Sequence, residues 1–272
     1  MALIVVGGDG ATTAALALAA GWPDTPPADT GAAGLDVVVV EADPSGGSLA
    51  AWLDTPLSPS LSAVVTSLHR SSSIGATRPT QWSTIEAMVR RSPAGVRFVP
   101  APFRTREARR AIGEADLSLF PLLAGLDHTL ALVDVGRLDS LRLPPVVEHA
   151  DVTLIVHRQD ASSAPAATVR LERLAETTEA LRDAGATVGL ALVGEIPFAL
   201  GEVVDFASPN GPVYSLAVDP LSAAVLAGRT GVSSRRLARL PLMRSAARAA
   251  SDLARRVGPV HEIGAVANGG AA

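Results

Sequence analysis

The chain has 272 residues, 48% of them hydrophobic, and a formal net charge of −4 at pH 7. It contains no cysteine, which excludes disulfides and thiolate metal sites, and no lysine, so all 23 of its Lys+Arg residues are arginine. No apolar run approaches the roughly 20 residues of a membrane-spanning helix, and the first residues lack the basic segment of a signal peptide, so we expect a cytoplasmic protein without membrane insertion.

In chain order, short apolar runs alternate with stretches rich in alanine and leucine. The apolar runs predict strands over residues 3–6, 37–41, 96–99, 130–135, 152–156, 188–193 and 213–216. Helices are predicted over residues 12–20, 61–69, 83–91, 104–115, 164–184, 220–227 and 242–257. Most strand runs are apolar throughout, so the sequence predicts an α/β fold with a mainly parallel, twisted sheet and helices on both faces.

The domain organisation is predicted to be simple. We expect a single domain over residues 1–258, with no internal repeat, and a flexible C-terminal tail over residues 259–272. A polar loop is predicted over residues 69–81, and a long connection rich in proline and glycine over residues 21–34.

The first predicted strand runs into the segment GGDGATT, residues 7–13. Glycines let backbone N–H groups converge on a phosphate, and a helix N-terminus after them favours negative charge, so the segment has the layout of a phosphate-binding loop. Thr12 and Thr13 stand where such loops carry a Mg²⁺-binding hydroxyl, but Ala11 stands where they carry lysine. For this segment alone, a plain glycine turn between a strand and a helix is the alternative.

Acidic residues follow two later strands. The stretch VVVVEADPSGG carries Glu41 and Asp43, and the stretch LALVDVG carries Asp134. In order and spacing from residue 2 to residue 257, these segments resemble the ParA/MinD family of P-loop ATPases, whose loop reads K-G-G-x-G-K-T-T. The segment VRFVPAPF is similar to one in the pilus-assembly and septum-site (CpaE/TadZ-like) branch of that family.

The resemblance implies a ParA/MinD-like P-loop fold and a nucleotide site. The residues that it places at the nucleotide are Gly7, Gly8, Gly10, Ala11, Thr12, Thr13, Asp219 and Pro220. It also implies Mg²⁺ at Thr12 and Asp134, and an acid in the Glu41–Asp43 segment that organises Mg²⁺ and the attacking water. Family dimers meet across the nucleotide face, so a homodimer is expected.

The chain departs from the family at the positions that carry charge. Val6 and Ala11 replace both lysines of the loop, residues 1–69 contain seven acids and no arginine, and Arg137 is the one arginine near the motifs in sequence. Because losing one pre-organised donor costs roughly 10²–10³ in rate, we expect ATP hydrolysis to be absent or very slow, with Asp43 and Asp134 vestigial. Backbone and hydroxyl groups of Gly8, Gly10, Thr12 and Thr13 remain, so ATP and Mg²⁺ are expected to bind weakly at most.

Residues 229–256 contain eight arginines and a single acid, Asp252. Arg244, Arg248 and Arg255 fall within about 40° of one another on a helix, and apolar residues occupy the other side. Three interpretations stand: a solvated surface of a docked helix, contact with DNA phosphates, or docking onto an acidic protein or anionic lipid. The candidate nucleic-acid or partner surface is Arg235, Arg239, Arg244, Arg248 and Arg255.

These observations predict a catalytically degenerate ParA/MinD-like protein that acts as a localisation or scaffold factor for secretion, pilus-assembly or cell-division machinery. A protein partner is expected to recruit it to the cell pole or the inner membrane. The alternative is an active ParA-type ATPase that partitions DNA and binds it non-specifically through the arginine-rich C-terminal helix. A DNA-binding module without nucleotide control is the third hypothesis.

Overall fold

The computed structural model describes residues 2–24, 35–126, 129–159, 163–194 and 197–257. The strands in this part of the chain are β1 (Ala2–Gly8), β2 (Asp36–Glu41), β3 (Arg90–Arg91), β4 (Arg97–Val99), β5 (Thr129–Asp134), β6 (Val152–Arg158), β7 (Val188–Val193) and β8 (Val213–Leu216). The helices are α1 (Ala11–Ala20), α2 (Leu49–Trp52), α3 (Leu61–Ser73), α4 (Arg78–Glu86), α5 (Thr105–Leu123), α6 (Ala164–Asp183), α7 (Leu200–Ala207), α8 (Pro220–Leu226), α9 (Ser234–Leu237) and α10 (Pro241–Val257).

The strands form one sheet in the order β3-β4-β2-β5-β1-β6-β7-β8, and every pair except β3–β4 is parallel. β1 lies between β5 and β6, with Val6 opposite Asp134 on one side and Leu154 on the other. Glu41 of β2 is also opposite Asp134. Because the carboxyl ends of parallel strands meet at one edge of a sheet, the glycine loop and both acids lie on that edge.

Apolar side chains cover both faces of the sheet. Along β5, Ala131 and Val133 belong to the cluster beneath α3, α5 and α6, whereas Leu130 and Leu132 belong to the cluster beneath α1, α8 and α10. This two-sided burial explains why the strand segments are apolar throughout, and it confirms the predicted α/β class with helices on both faces. The predicted amphipathic C-terminal helix is confirmed, since all the buried residues of α10 are apolar.

The predicted helices and loops are partly wrong between residues 69 and 91. α3 continues to Ser73 and α4 begins at Arg78, so most of the predicted polar loop is helical. α4 buries only Ile85, and its apolar periodicity is therefore too weak to place its ends. β3 was not predicted, because two arginines carry no strand pattern.

Two predicted segments lie outside the described residues: the tail over residues 259–272 and most of the connection over residues 21–34. The domain limits therefore stay a prediction. In the part of the chain that the structure describes, no helix has the length and apolar character that crossing a bilayer requires.

Candidate nucleotide site

The loop between β1 and α1 is fixed by its neighbours in the sheet. The Gly8 N–H donates to the Gly136 carbonyl at 2.7 Å, and the Asp9 N–H donates to the Val156 carbonyl at 2.9 Å. Gly8 has a φ of 113°, and a Cβ on it would lie 2.3 Å from the Val156 carbonyl oxygen, so only glycine fits. The prediction that Gly8 offers its backbone N–H to a phosphate is therefore wrong, because that donor already has a partner.

The N-terminus of α1 is the part of the loop that can receive an anion. Gly10 is its N-cap residue with a φ of 92°, and no side chain of the described residues caps the helix. The first N–H groups of a helix lack partners within it and carry partial positive charge. The Ala11 methyl group is buried in the apolar cluster and adds neither charge nor a donor. The helix start thus provides backbone donors without a lysine.

Asp134 and Asp43 converge beside this helix start. Asp134 is fully buried: its Oδ1 accepts from the Gly136 N–H at 3.0 Å, and its Oδ2 has no hydrogen-bond partner among the described residues. The Asp43 carboxylate covers Gly136, where a Cβ would lie 2.3 Å from Asp43 Oδ2. Burial raises the pKa of Asp134 to about 7; Thr12 and Gly136 act to lower it, and the charges of Glu41 and Asp43 add to the rise.

These oxygen atoms fit a Mg²⁺ ion that is shared with a nucleotide. Mg²⁺ prefers oxygen ligands, keeps several waters, and is usually held by one or two carboxylates together with substrate phosphates. The groups that would hold it are Asp134 Oδ2 and the Thr12 hydroxyl, as predicted from the resemblance. Across the described residues, no group of three or more His, Cys, Asp or Glu side chains could form a metal site alone. Mg²⁺ bound here would neutralise charge on the phosphates.

Glu41 has a structural role that its place in the motif does not indicate. Its side chain is buried; Oε1 accepts from the N–H groups of Ser48 at 2.6 Å and Leu49 at 3.0 Å, and Oε2 accepts from the Ala101 N–H at 2.9 Å. Burial raises the pKa of Glu41, and these backbone hydrogen bonds act to lower it. Both oxygens are committed to loop backbone, so Glu41 does not fit the expected role of organising water and Mg²⁺, and Asp43 is the acid of this segment that lies beside the site.

A cavity of about 240 Å³, here called the α1 pocket, opens beside the start of α1. Its lining residues are Gly10, Thr13, Ala14, Arg158, Val193, Leu216, Ala217, Val218, Asp219, Pro220, Ala223 and Leu242. The predicted nucleotide residues Gly10, Thr13, Asp219 and Pro220 therefore surround one cavity. A mostly apolar wall next to helix N–H groups suits a flat heterocycle that is joined to phosphates.

The Asp219 carboxylate shapes this pocket as a helix cap. It accepts from the N–H groups of Leu221 and Ser222, each at 3.1 Å, and from the Ser222 hydroxyl at 2.6 Å. Partial burial opposes its ionisation, but the Ser222 and backbone hydrogen bonds hold the pKa of Asp219 below its ordinary value. Asp219 thereby fixes the α8 wall of the α1 pocket.

Arginine side chains flank the loop on both sides. Arg158, the last residue of β6, lines the α1 pocket, and Arg137, Arg170 and Arg173 line a second cavity together with Asp9. The expectation that Arg137 is the one arginine near the motifs is therefore wrong in three dimensions. It followed distance along the sequence, whereas β6 lies next to β1 in the sheet and brings its charged C-terminal end to the same edge.

Two of the C-terminal arginines line a groove. Arg244 and Arg248 line a groove of about 770 Å³ beside β8. Arg255 pairs with Asp252 at 2.9 Å, so its charge is partly balanced, and the predicted stripe of three arginines stays a prediction. Arg235 and Arg239, the remaining members of the predicted surface, are exposed and lie outside the groove.

Solved structures share this architecture, although no protein-family model and no curated protein sequence matches the chain. The ParA family ATPase of Chlorobium tepidum TLS superposes with a TM-score of 0.66 at 15% identity, over 92% of this chain and 97% of that one. The septum site-determining protein MinD of Pyrococcus horikoshii OT3, in complex with Mg-ADP, has a TM-score of 0.60 at 15% identity, over 92% of this chain and 94% of that one. A chain of the MinC:MinD cell division protein complex of Aquifex aeolicus has a TM-score of 0.60 at 13% identity, over 93% of this chain and 95% of that one. The chain thus has the fold of the ParA/MinD P-loop ATPases.

Proposed function

We propose that this chain is a ParA/MinD-like localisation or scaffold factor that binds Mg²⁺-ATP weakly and hydrolyses it very slowly or not at all. One observation carries the proposal: the α1 pocket and the Asp134 oxygen that lacks a partner among the described residues lie at a helix start with free backbone donors and Ala11 in place of lysine. The MinD structure of the same fold that contains Mg-ADP supports a nucleotide in this position.

The geometry supports one orientation of the nucleotide. The heterocycle occupies the α1 pocket, and the phosphates lie against the N–H groups at the start of α1, where the helix dipole favours negative charge. Thr12 and Asp134 are then placed to hold Mg²⁺ on the phosphates. Without a lysine, no ammonium group stabilises the charge that develops during phosphoryl transfer, and this accounts for slow hydrolysis.

Arg158 supplies the cation that the loop itself lacks. Arg158 lines the α1 pocket together with Gly10 and Thr13. Arg158→Gln is expected to weaken ATP binding about tenfold or more, because a hydrogen bond to a charged group contributes roughly 1.5–3 kcal/mol. Calorimetric titration of ATP with Mg²⁺ measures the change. Arg106→Gln is the matched control, since Arg106 is an exposed residue of α5. Equal affinity in Arg158→Gln and the unmodified protein would contradict the assignment.

The positioning role rests on the fold and on the motif resemblance. MinD of Aquifex aeolicus is found in a complex with MinC, which supports a protein partner for a chain of this fold. We propose that the partner belongs to a secretion, pilus-assembly or cell-division assembly, and that this chain acts as a homodimer. Light scattering with and without Mg²⁺-ATP tests the dimer, and a monomer mass under both conditions would contradict it.

DNA binding is the second candidate function, and the groove lined by Arg244 and Arg248 favours it. If both residues contact DNA phosphates, their replacement by glutamine should weaken binding and lower the slope of log affinity against log salt by about 2. Fluorescence anisotropy over a salt series measures both quantities. Arg106→Gln combined with Arg109→Gln on α5 is the control of equal charge change. An unchanged salt slope in the groove variant would exclude this contact.

A further inference from the structure

A second cavity, here called the arginine pocket, lies across the glycine loop from the α1 pocket. It has a volume of about 290 Å³, and its charged or ionisable lining side chains are Asp9, Arg137, His157, Arg170 and Arg173. Its apolar wall includes Ile155 and Leu174, which belong to the cluster beneath α3, α5 and α6, whereas Ala14 and Leu242 of the α1 pocket belong to the opposite cluster. The two cavities therefore lie on opposite faces of the sheet.

The arginine pocket has an excess of positive charge. Its lining includes three arginines and one acid, Asp9, and two of these arginines, Arg137 and Arg173, are exposed. Neither Arg137 nor Arg173 forms an ion pair within the described part of the chain. Guanidinium groups bind phosphate and carboxylate oxygens through pairs of parallel hydrogen bonds.

His157 adds a buried polar group to the same pocket. Its side chain is only 8% exposed, and its ring makes no hydrogen bond to any residue that the structure describes. Burial lowers the pKa of His157, against the opposing effect of Asp9, and Arg170 lowers it further. A neutral imidazole offers one donor and one acceptor, so His157 can exchange a hydrogen bond with a ligand in the pocket.

We propose that the arginine pocket binds the phosphate or carboxylate group of a small free ligand, at a site separate from the nucleotide. The volume is close to the lower end of the range for small-molecule sites, which suits a compact anion better than a whole nucleotide. The ligand lies between Arg137 of the loop after β5 and Arg173 of α6. Its anionic group faces the guanidinium groups, and Asp9 faces any hydroxyl or amine that the ligand carries.

Calorimetric titration with inorganic phosphate and, separately, with succinate tests the proposal and distinguishes the two anion types. At least one probe should bind in the millimolar range or tighter, and Arg173→Gln and Arg137→Gln should each weaken that binding about tenfold. Arg182→Gln, on the same helix but outside the pocket, should leave it unchanged. Absence of binding by both probes, or an equal loss in Arg182→Gln, would overturn the proposal.

A further variant separates this site from the nucleotide site. In Arg158→Gln, the phosphate or succinate affinity should stay within a factor of about two, because Arg158 lines only the α1 pocket. If Arg158→Gln abolishes anion binding while Arg173→Gln does not, the anion occupies the start of α1. The arginine pocket would then be rejected and the proposed nucleotide binding would stand.

Discussion

Glu41→Ala is expected to destabilise the protein by about 3–5 kcal/mol, because an unsatisfied buried donor costs about 1–3 kcal/mol and the change leaves three of them. The three N–H groups belong to Ser48, Leu49 and Ala101, and the Glu41 carboxylate is their common acceptor. These bonds join the start of α2 to the segment after β4. Their loss should therefore lower the free energy of unfolding of the whole protein, in one cooperative transition. Urea unfolding followed by circular dichroism measures the change.

Two matched variants separate this structural role from a catalytic one. Glu41→Gln keeps one acceptor oxygen and turns an NH₂ group towards a backbone donor, so its loss of stability should be intermediate. Asp43→Ala removes a partly exposed carboxylate whose bond to the Ser45 N–H is local, so a loss of only about 1 kcal/mol is expected. If Glu41→Ala were no more destabilising than Asp43→Ala, the structural role of Glu41 would be refuted.

Asp134→Asn is expected to stabilise the protein at pH 8, by up to about 4 kcal/mol in the absence of Mg²⁺. Burial raises the pKa of Asp134 to about 7 in the folded state, against about 3.9 in an unfolded chain. Between these values the folded state binds more protons than the unfolded state, so the free energy of unfolding falls as pH rises. The stability that protonated Asp134 contributes is fully present below about pH 4 and is lost as pH rises through 7. Asparagine resembles the protonated aspartic acid side chain and does not ionise, so the variant avoids this loss of stability at high pH.

Urea unfolding at pH 5 and pH 8 without Mg²⁺ checks this prediction. The unmodified protein should lose stability between the two values, and Asp134→Asn should lose much less. Asp139→Asn serves as the control, because Asp139 is an exposed residue of the loop after β5. The same pH dependence in Asp134→Asn and the unmodified protein would show that the buried carboxylate does not govern it.

The sheet could be predicted from the sequence because strands buried on both faces leave continuous apolar runs, as in β1, β5 and β7. The residues around the α1 pocket could be predicted because the motif resemblance spans the chain, and the structure does bring Gly10 and Asp219 to one cavity. The nucleotide role of those residues stays a prediction. What the sequence indicates reliably is therefore the edge of the sheet at which a ligand would bind.

The roles of Glu41 and Arg158 could not be predicted in the same way. Glu41 acts through a bond to Ala101, 60 residues further along the chain, which no local pattern indicates. Arg158 reaches the loop because β6 pairs with β1, so its position depends on strand order. A charged residue at the carboxyl end of a strand that neighbours a glycine loop is the signal that could have identified it.

We propose that the loop binds Mg²⁺-ATP and hydrolyses it very slowly or not at all; equilibrium dialysis against ATP and Mg²⁺, followed by chromatographic separation of ATP from ADP, tests both parts. We expect an excess of ATP on the protein side, a smaller excess for Arg158→Gln, and little or no more ADP than in a protein-free control. Equal ATP on both sides would contradict nucleotide binding. Rapid ADP formation that disappears in Asp134→Ala would contradict slow or absent hydrolysis.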